Sequence, residues 1–345
     1  MSRISTFCAF PLLLFSLTLA VRTEPAGVRP ASPTLAEDDL PPLPKLTPWE
    51  DCYSQIADER IAACTFVLEQ EERQSHERVT ALINRGVAFG QKGEMVAALE
   101  DFDRALVMEP KNVMALANSG IAHAALKEYP QAITSFDSAI TADPSRAAVL
   151  ALRANVFRDT GALDRALADY DRALAIDPQF AFALHERGQA HLRGGDSERA
   201  LADFNAALRY NASYAAAYHS RGKVLIDKDR LDQAIRDFSA AIERRQTFAG
   251  AYFHRGRAHH LKKKYLLAIA DYSRVLELTP DFAPAYNNRG RAYAMLRKTT
   301  EALADLNRAE ALAPGDTTLA EIRAGLRALT VQVAPQAGAA AIATP

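Results

Sequence analysis

The chain is short of the features that carry chemistry. Its 345 residues include three cysteines, one tryptophan and 16 glycines. None of the glycines forms a phosphate-cradling loop, and no G-x-S-x-G elbow or H-E-x-x-H helix occurs. His185-Glu186 is followed by His191, the wrong spacing for a zinc helix. These absences remove nucleotide-dependent, serine-nucleophile and zinc-peptidase readings, so no catalytic residue, cofactor or metal site is expected. Neither sign of charge is in surplus: 41 basic residues face 42 acidic ones, for a formal net charge of -1. A nucleic-acid role would want a basic excess. The one long apolar run, Phe7 to Leu19, is too short to span a bilayer and contains Pro11.

That run has the form of an export signal. Arg3 supplies the positive start and Thr18-Leu19-Ala20 a cleavage site, so residues 1–20 are expected to be a signal peptide. An uncleaved anchor is the alternative. Cys8 lacks the small-residue box of a lipoprotein. Pro25, Pro30, Pro33, Pro41, Pro42 and Pro44 make 21–45 read as an extended linker, and the alanine-rich tail 331–345 as unpatterned chain.

What the chain has is repetition. A small residue recurs every 34 positions at Gly86, Gly120, Ala154, Gly188, Gly222, Gly256 and Gly290. Twelve residues after each stands alanine, from Ala98 to Ala302. With units starting seven residues before the small residue, position 24 is Phe102, Phe136, Tyr170, Phe204, Phe238, Tyr272 and Leu306. Apolar positions fall at helical spacing in two runs per unit, so each unit is a helical hairpin. Asp143-Pro144, Asp177-Pro178 and Thr279-Pro280 read as helix starts, a capping side chain before proline at the first helical position. Six glycines in helix interiors would cost roughly 6 kcal/mol against alanine, which makes sense only where two helices approach closely. The alanine twelve residues on is the expected partner across that contact.

A strict period of this length signals a solenoid, each unit burying its apolar face on its neighbours. Gly at position eight, Ala at 20, an aromatic at 24, Ala at 27 and Pro at 32 together resemble the tetratricopeptide repeat. The resemblance covers 79–316 as seven repeats, 79–112, 113–146, 147–180, 181–214, 215–248, 249–282 and 283–316. Ala154, Ala212 and Gln246 depart from it. It implies an all-α, right-handed superhelical solenoid that binds partners and does not catalyse. Leu319, Ile322, Leu326 and Leu329 form the stripe of a capping helix over 317–330.

Residues 46–78 read as a degenerate hairpin in the same phase. Thr47-Pro48-Trp49-Glu50 has the form of a capping box, and Asp58 is placed to cap the next helix. Cys52 falls at position eight and Cys64 at position 20, so a disulfide is expected between them. Free thiols or a redox couple are the alternatives, the latter disfavoured because the spacing is not C-x-x-C. The W-x-x-C start with a second cysteine resembles small exported repeat proteins of Gram-negative bacteria, which points to the periplasm.

Arginine occupies position seven and aspartate position 23 in six of the units; the second has Ser119 and Ser135, both partners changing together. A repeated interhelical bridge is the simplest account. The resemblance implies a concave groove lined by the first helix of each hairpin. Its N-terminal part reads as apolar, with Ile83, Val87, Met114, Ala117, Ile121 and Ala124. Its C-terminal part reads as basic and aromatic, with His185, His219, Lys223, Phe253, His254, Arg257, His260 and Arg291. The expected partner is a protein or peptide with an acidic segment; nucleic acid and membrane insertion after signal cleavage are not expected. Two rival readings are a periplasmic holdase-like assembly factor and a small-ligand or metal-binding protein using the histidine and arginine groove. The family's carboxylate clamp needs Lys at position five and Asn at nine in one unit; Asn155 sits beside Ala151, so that role is not expected.

Overall fold

A computed structural model describes residues 48–70 and 72–314. The signal peptide, the 21–45 linker, Thr47, the 317–330 helix and the tail lie outside the described residues. Among those described there are sixteen helices and no strand. The chain divides into two compact units, one ending at Asp177 and the other beginning at Pro178.

In the first unit, α1 (Pro48–Asp51) and α2 (Ala57–Glu69) form a short end hairpin. Three full hairpins follow, α3 (Ser75–Gln91) with α4 (Met95–Met108), α5 (Val113–Ala125) with α6 (Tyr129–Ala142), and α7 (Ala147–Asp159) with α8 (Leu163–Ile176). The second unit holds four more, α9 (Ala181–Arg193) with α10 (Ser197–Tyr210), α11 (Ala215–Asp227) with α12 (Leu231–Arg244), α13 (Ala249–Leu261) with α14 (Tyr265–Leu278), and α15 (Ala283–Met295) with α16 (Thr299–Leu312). Within each unit, every second helix packs on the first helix of the next hairpin. First helices also touch one another, α3 with α5 and α5 with α7 in one unit, α11 with α13 and α13 with α15 in the other. That places them on the inner, crowded wall of each array.

The recurrent glycine permits close approach, and what a Cβ there would meet first is the side chain at position 24, with the expected alanine also within reach at Gly290, where Ala302 O lies 3.1 Å away. A methyl group added at Gly188 would stand 2.6 Å from Phe204 Cε1, and one at Gly86 would stand 2.5 Å from Phe102 Cε1. The aromatic at position 24 therefore fills the space over the glycine with one edge of its ring. Alanine at position 20 is completely buried beside it, as in Ala166, Ala200, Ala234 and Ala268. In the last hairpin Leu306 stands in for the ring, 2.9 Å from the Cβ that Gly290 lacks.

The prolines are also placed differently from expectation. α7, α9 and α15 begin at Ala147, Ala181 and Ala283, three residues beyond Pro144, Pro178 and Pro280. The prolines stand in the turns between hairpins, where a missing N–H disrupts no ladder. Asp143 closes α6 rather than opening α7. Its carboxylate accepts from the Ser145 hydroxyl at 2.6 Å, the Arg146 guanidinium at 2.7 Å and the Ser145 N–H at 3.0 Å, which holds its pKa down to about 2. Asp58 is likewise no cap: it lies inside the first turn of α2 and accepts from Lys92 Nζ at 2.7 Å.

Every Arg–Asp pair of positions seven and 23 is a two-pronged bridge. Arg85 Nε and Nη2 donate to the two oxygens of Asp101 at 2.7 Å each, and Arg221 does the same to Asp237. Arg153, Arg187, Arg255 and Arg289 repeat the geometry. Ser119 and Ser135 replace the pair with hydroxyls 3.4 Å apart. The third guanidinium nitrogen reaches back one repeat, a feature the pattern did not disclose. Arg221 Nη1 donates to Asn205 at 2.8 Å, Arg255 Nη1 to Ser239 at 3.0 Å and Arg289 Nη1 to Ser273 at 2.9 Å. Arg153 reaches Asp137 in the same way. One side chain thus ties three helices.

The turn inside each hairpin needs one residue with positive φ. Gly93, Gly161 and Gly195 supply it at 82° to 87°. Lys127, Asp229, Lys263 and Arg297 occupy the same place at 57° to 63°, where a side chain costs about 1 kcal/mol or more.

Candidate functional site

The eight candidate groove residues all lie on the first helices of the second unit: His185 on α9, His219 and Lys223 on α11, Phe253, His254, Arg257 and His260 on α13, and Arg291 on α15. They form two layers. Lys223, Arg257 and Arg291 are exposed, whereas His185 is buried and His219, Phe253, His254 and His260 are half-buried.

The cations stand at position nine of consecutive repeats, a solvated ladder with one charge per hairpin. No carboxylate lies within ion-pair distance of any of them among the described residues, in contrast to the bridged arginines at position seven.

The lower layer is a chain of flat rings. His219 lies 5.1 Å from His254, 4.8 Å from Phe248 and 5.9 Å from Phe238, centroid to centroid. His254 stacks on Phe238 and meets Phe253 edge-on at 5.3 Å, and Phe253 meets Phe282. His185 is set apart from that cluster: its Nε2 lies 3.0 Å from the Ser220 hydroxyl, its Nδ1 2.8 Å from Glu186, and Tyr214 covers it. His260 packs against Tyr265. The expectation missed Tyr214, Phe248 and Phe282. They recur with Phe180 at position 34, each the last residue before a first helix, so the 34-residue period carried their signal.

Three of the imidazoles, His219, His254 and His260, are held towards the neutral form. Burial first, then the nearby His254 and Lys223, pushes His219 down to about 3. Burial, then Lys223 and Arg257, pushes His254 down to about 4. His260 is lowered by burial and by Arg291. The Nε2 of His219 and the Nδ1 of His254 and of His260 are buried without a hydrogen-bond partner. A buried polar atom left unsatisfied costs roughly 1–3 kcal/mol. Among the described residues, no three His, Cys, Asp or Glu side chains come together as a metal site would require.

The apolar group in the first unit is more closed. Ile83, Ala117 and Ala124 are buried, while Val87, Met114 and Ile121 are half-buried. Ile83, Val87 and Met114 pack into one core cluster with Cys52, Cys64 and Val67. Much of this stripe is therefore interior and not available to a ligand.

The Cys52 and Cys64 sulfurs lie at disulfide-bonding distance, with Cα atoms 4.8 Å apart and both side chains fully buried. Trp49 packs on the same cluster, edge-on to Tyr53.

Comparison with known proteins agrees with the hairpin architecture. Models of the TPR repeat match residues 154–195 and 256–296, and models of the tetratricopeptide repeat match 83–147, 185–234 and 283–316. A comparison with curated proteins finds no match. Among solved structures, the chain resembles a tetratricopeptide repeat protein from Parabacteroides merdae at 24% identity and TM-score 0.51, covering 74% of this chain and 100% of that one. Pseudomonas aeruginosa PilF is 19% identical with TM-score 0.57, over 62% of this chain and 97% of its own. The Cut9–Hcn1 hetero-tetramer of the APC/C gives TM-score 0.62 at 17% identity, over 78% of this chain and 52% of that one, so this chain spans about half its length. These likenesses are of fold. With seven hairpins in a 34-residue period, five of them pairing a glycine with an aromatic ring, and these family matches, the chain belongs to the tetratricopeptide repeat family.

Proposed function

We propose that the chain is a non-catalytic interaction scaffold that captures a partner segment on the inner wall of its second unit. The observation that carries this reading is the ladder of Lys223, Arg257 and Arg291, three exposed cations without partners, one per repeat, above a wall of rings. Unpaired cations at regular spacing favour a partner with acidic side chains arranged along an extended or helical segment. The rings beneath supply apolar area and flat faces for its aliphatic or aromatic residues. The preformed helical wall needs little ordering on binding, which favours affinity.

The fully buried Cys52–Cys64 pair supports an oxidising location, and the periplasm is the compartment we assign. A holdase-like assembly factor would use the same wall with many unfolded clients instead of one. A small-ligand reading draws on the unpartnered nitrogens of His219 and His254, which a hydroxyl or amide ligand would satisfy.

In-cell crosslinking of the tagged protein, read by mass spectrometry, tests the proposal alongside Lys223→Glu/Arg257→Glu/Arg291→Glu. One specific partner is expected, with affinity lowered about tenfold or more in the triple variant, three exposed charge contacts at roughly 0.5 kcal/mol each. Unchanged partners in both proteins would remove the groove assignment. A broad set of unfolded clients would favour the holdase reading. Loss of a small-molecule thermal shift in His219→Ala/His254→Ala would favour the ligand reading.

A further inference from the structure

The turns inside the sixth and seventh hairpins carry a surface that the groove reading does not use. At the preceding junctions, position 14 of one repeat is ion-paired to position 18 of the repeat before it. Lys228 Nζ donates to Glu198 at 2.6 Å, and Lys262 Nζ donates to Asp232 at 2.5 Å. At the next junction the same two positions are Leu296 and Leu266. Both members of the ion pair have become leucine, yet they are not sealed together: Leu266 is 67% exposed. Leu261 and Leu267 are each 50% exposed and Met295 57%, at the same end of the hairpins. Large aliphatic side chains so open to water at one edge are an unpartnered apolar patch.

The charges beside this patch that lack an ion-pair partner have one sign. Lys262 is taken up by Asp232, and Lys298 has Glu301 at 4.0 Å. Lys263, Lys264 and Arg297 have no carboxylate within ion-pair distance among the described residues, although Lys264 also lies in the field of Asp232. Lys263 and Arg297 are the positive-φ residues of their turns, at 57° and 58°. Glycine takes this strained place in three other repeats, so the last two turns hold a cation where glycine fits the backbone better. Asp229, on the turn before, has the opposite sign and bounds the patch to the sixth and seventh hairpins.

We propose that this edge docks the protein peripherally on an anionic lipid bilayer. Leu261, Leu266, Leu267 and Met295 enter the boundary between headgroups and acyl chains, and Lys263, Lys264 and Arg297 face the lipid phosphates. Aliphatic side chains at the helix ends beside the turns, flanked by unpaired cations, match a fluid anionic surface better than a shaped protein partner.

Sedimentation of the full chain with vesicles tests this, using phosphatidylcholine alone and phosphatidylcholine mixed with phosphatidylglycerol. Binding is expected only to the anionic vesicles, and to weaken as salt is raised. Lys263→Gly/Arg297→Gly restores the residue that Gly93, Gly161 and Gly195 use in equivalent turns, so the variant folds with undiminished thermal stability. It is expected to bind anionic vesicles about 25-fold more weakly, roughly fivefold for each cation removed. Leu266→Ser/Leu267→Ser should reduce binding further at unchanged charge. The proposal is overturned if the chain ignores anionic vesicles, if it binds neutral ones equally, or if the glycine variant binds like the parent. Loss of a crosslinked protein in the glycine variant, without any vesicle binding by the parent, would make the edge a protein surface and overturn it too.

Discussion

At Gly188 a helix interior does without a side chain because a ring occupies the space. Alanine there gains about 1 kcal/mol of helix propensity, but its Cβ would sit 2.6 Å from Phe204, which is completely buried and would have to shift. Overpacking of this kind typically costs 1–3 kcal/mol. Gly188→Ala is therefore expected to destabilise the second unit, by roughly 1 kcal/mol, in urea titration. A neutral or stabilising result would mean that the ring moves. The same site shows what sequence reading can and cannot reach. Spacing alone showed that Gly188 faces a neighbouring helix. It could not choose between partners twelve and sixteen residues on, because Ala200 and Phe204 recur with equal regularity. The prolines misled for a related reason: Asp143-Pro144 has the composition of a helix start and the structure of a turn between helices, since Asp143 spends its carboxylate on Ser145 and Arg146. The unpartnered nitrogens of His219 and His254 had no sequence signal at all, being consequences of packing.

Among the elements, the helix pairs are held by bridges whose worth lies in not being half-removed. Asp271 is almost fully buried, with two of the Arg255 guanidinium nitrogens on its oxygens. Arg255→Met would strand that carboxylate, and removal of one partner of a buried pair costs about 3–5 kcal/mol. Asp271→Asn with Arg255→Met should recover much of the loss, and the two melting curves together separate charge burial from packing. The paired arginine and aspartate were readable because they changed together to serine in the second repeat. The backward reach to Asn205, Ser239 and Ser273 was not, because any small acceptor serves there and the position varies. The end hairpin α1–α2 depends on a different device. Closing the loop from Cys52 to Cys64, 12 residues apart, is expected to stabilise it by ~3 kcal/mol. Reduction should therefore raise hydrogen exchange in α2 first. Equal protection in reduced and oxidised protein would remove that role.

Across the whole molecule, the buried imidazoles make the second unit sensitive to acid. His219 and His254 titrate near 3 and 4 when folded, against an ordinary value of 6.5. Between those values the unfolded chain holds more protons than the folded one, so stability rises with pH and falls as the solution is acidified. The loss begins near pH 6.5 and continues down towards pH 4. Melting the protein at pH 7 and pH 5 should show a drop that His219→Phe/His254→Phe diminishes; an equal drop in the variant would assign the acid sensitivity to carboxylates instead. The seven-hairpin array was legible almost entirely, because a strict period over-determines it. The contrast between the closed apolar stripe of the first unit and the open cationic stripe of the second was only half legible, since Ile83 and Ala117 look the same in sequence whether lining a groove or filling a core.

The backward reach of Arg221, Arg255 and Arg289 has a consequence for how such a chain changes over generations. Each of these junctions is joined by the same plug, an arginine at position seven, and the same socket, a small acceptor at position 25 of the repeat before. A gene segment encoding any one of these repeats, duplicated or lost in frame, keeps this plug and socket at the new junction. The second repeat, with Ser119 in place of the plug, is the member that cannot be moved without leaving a loose joint.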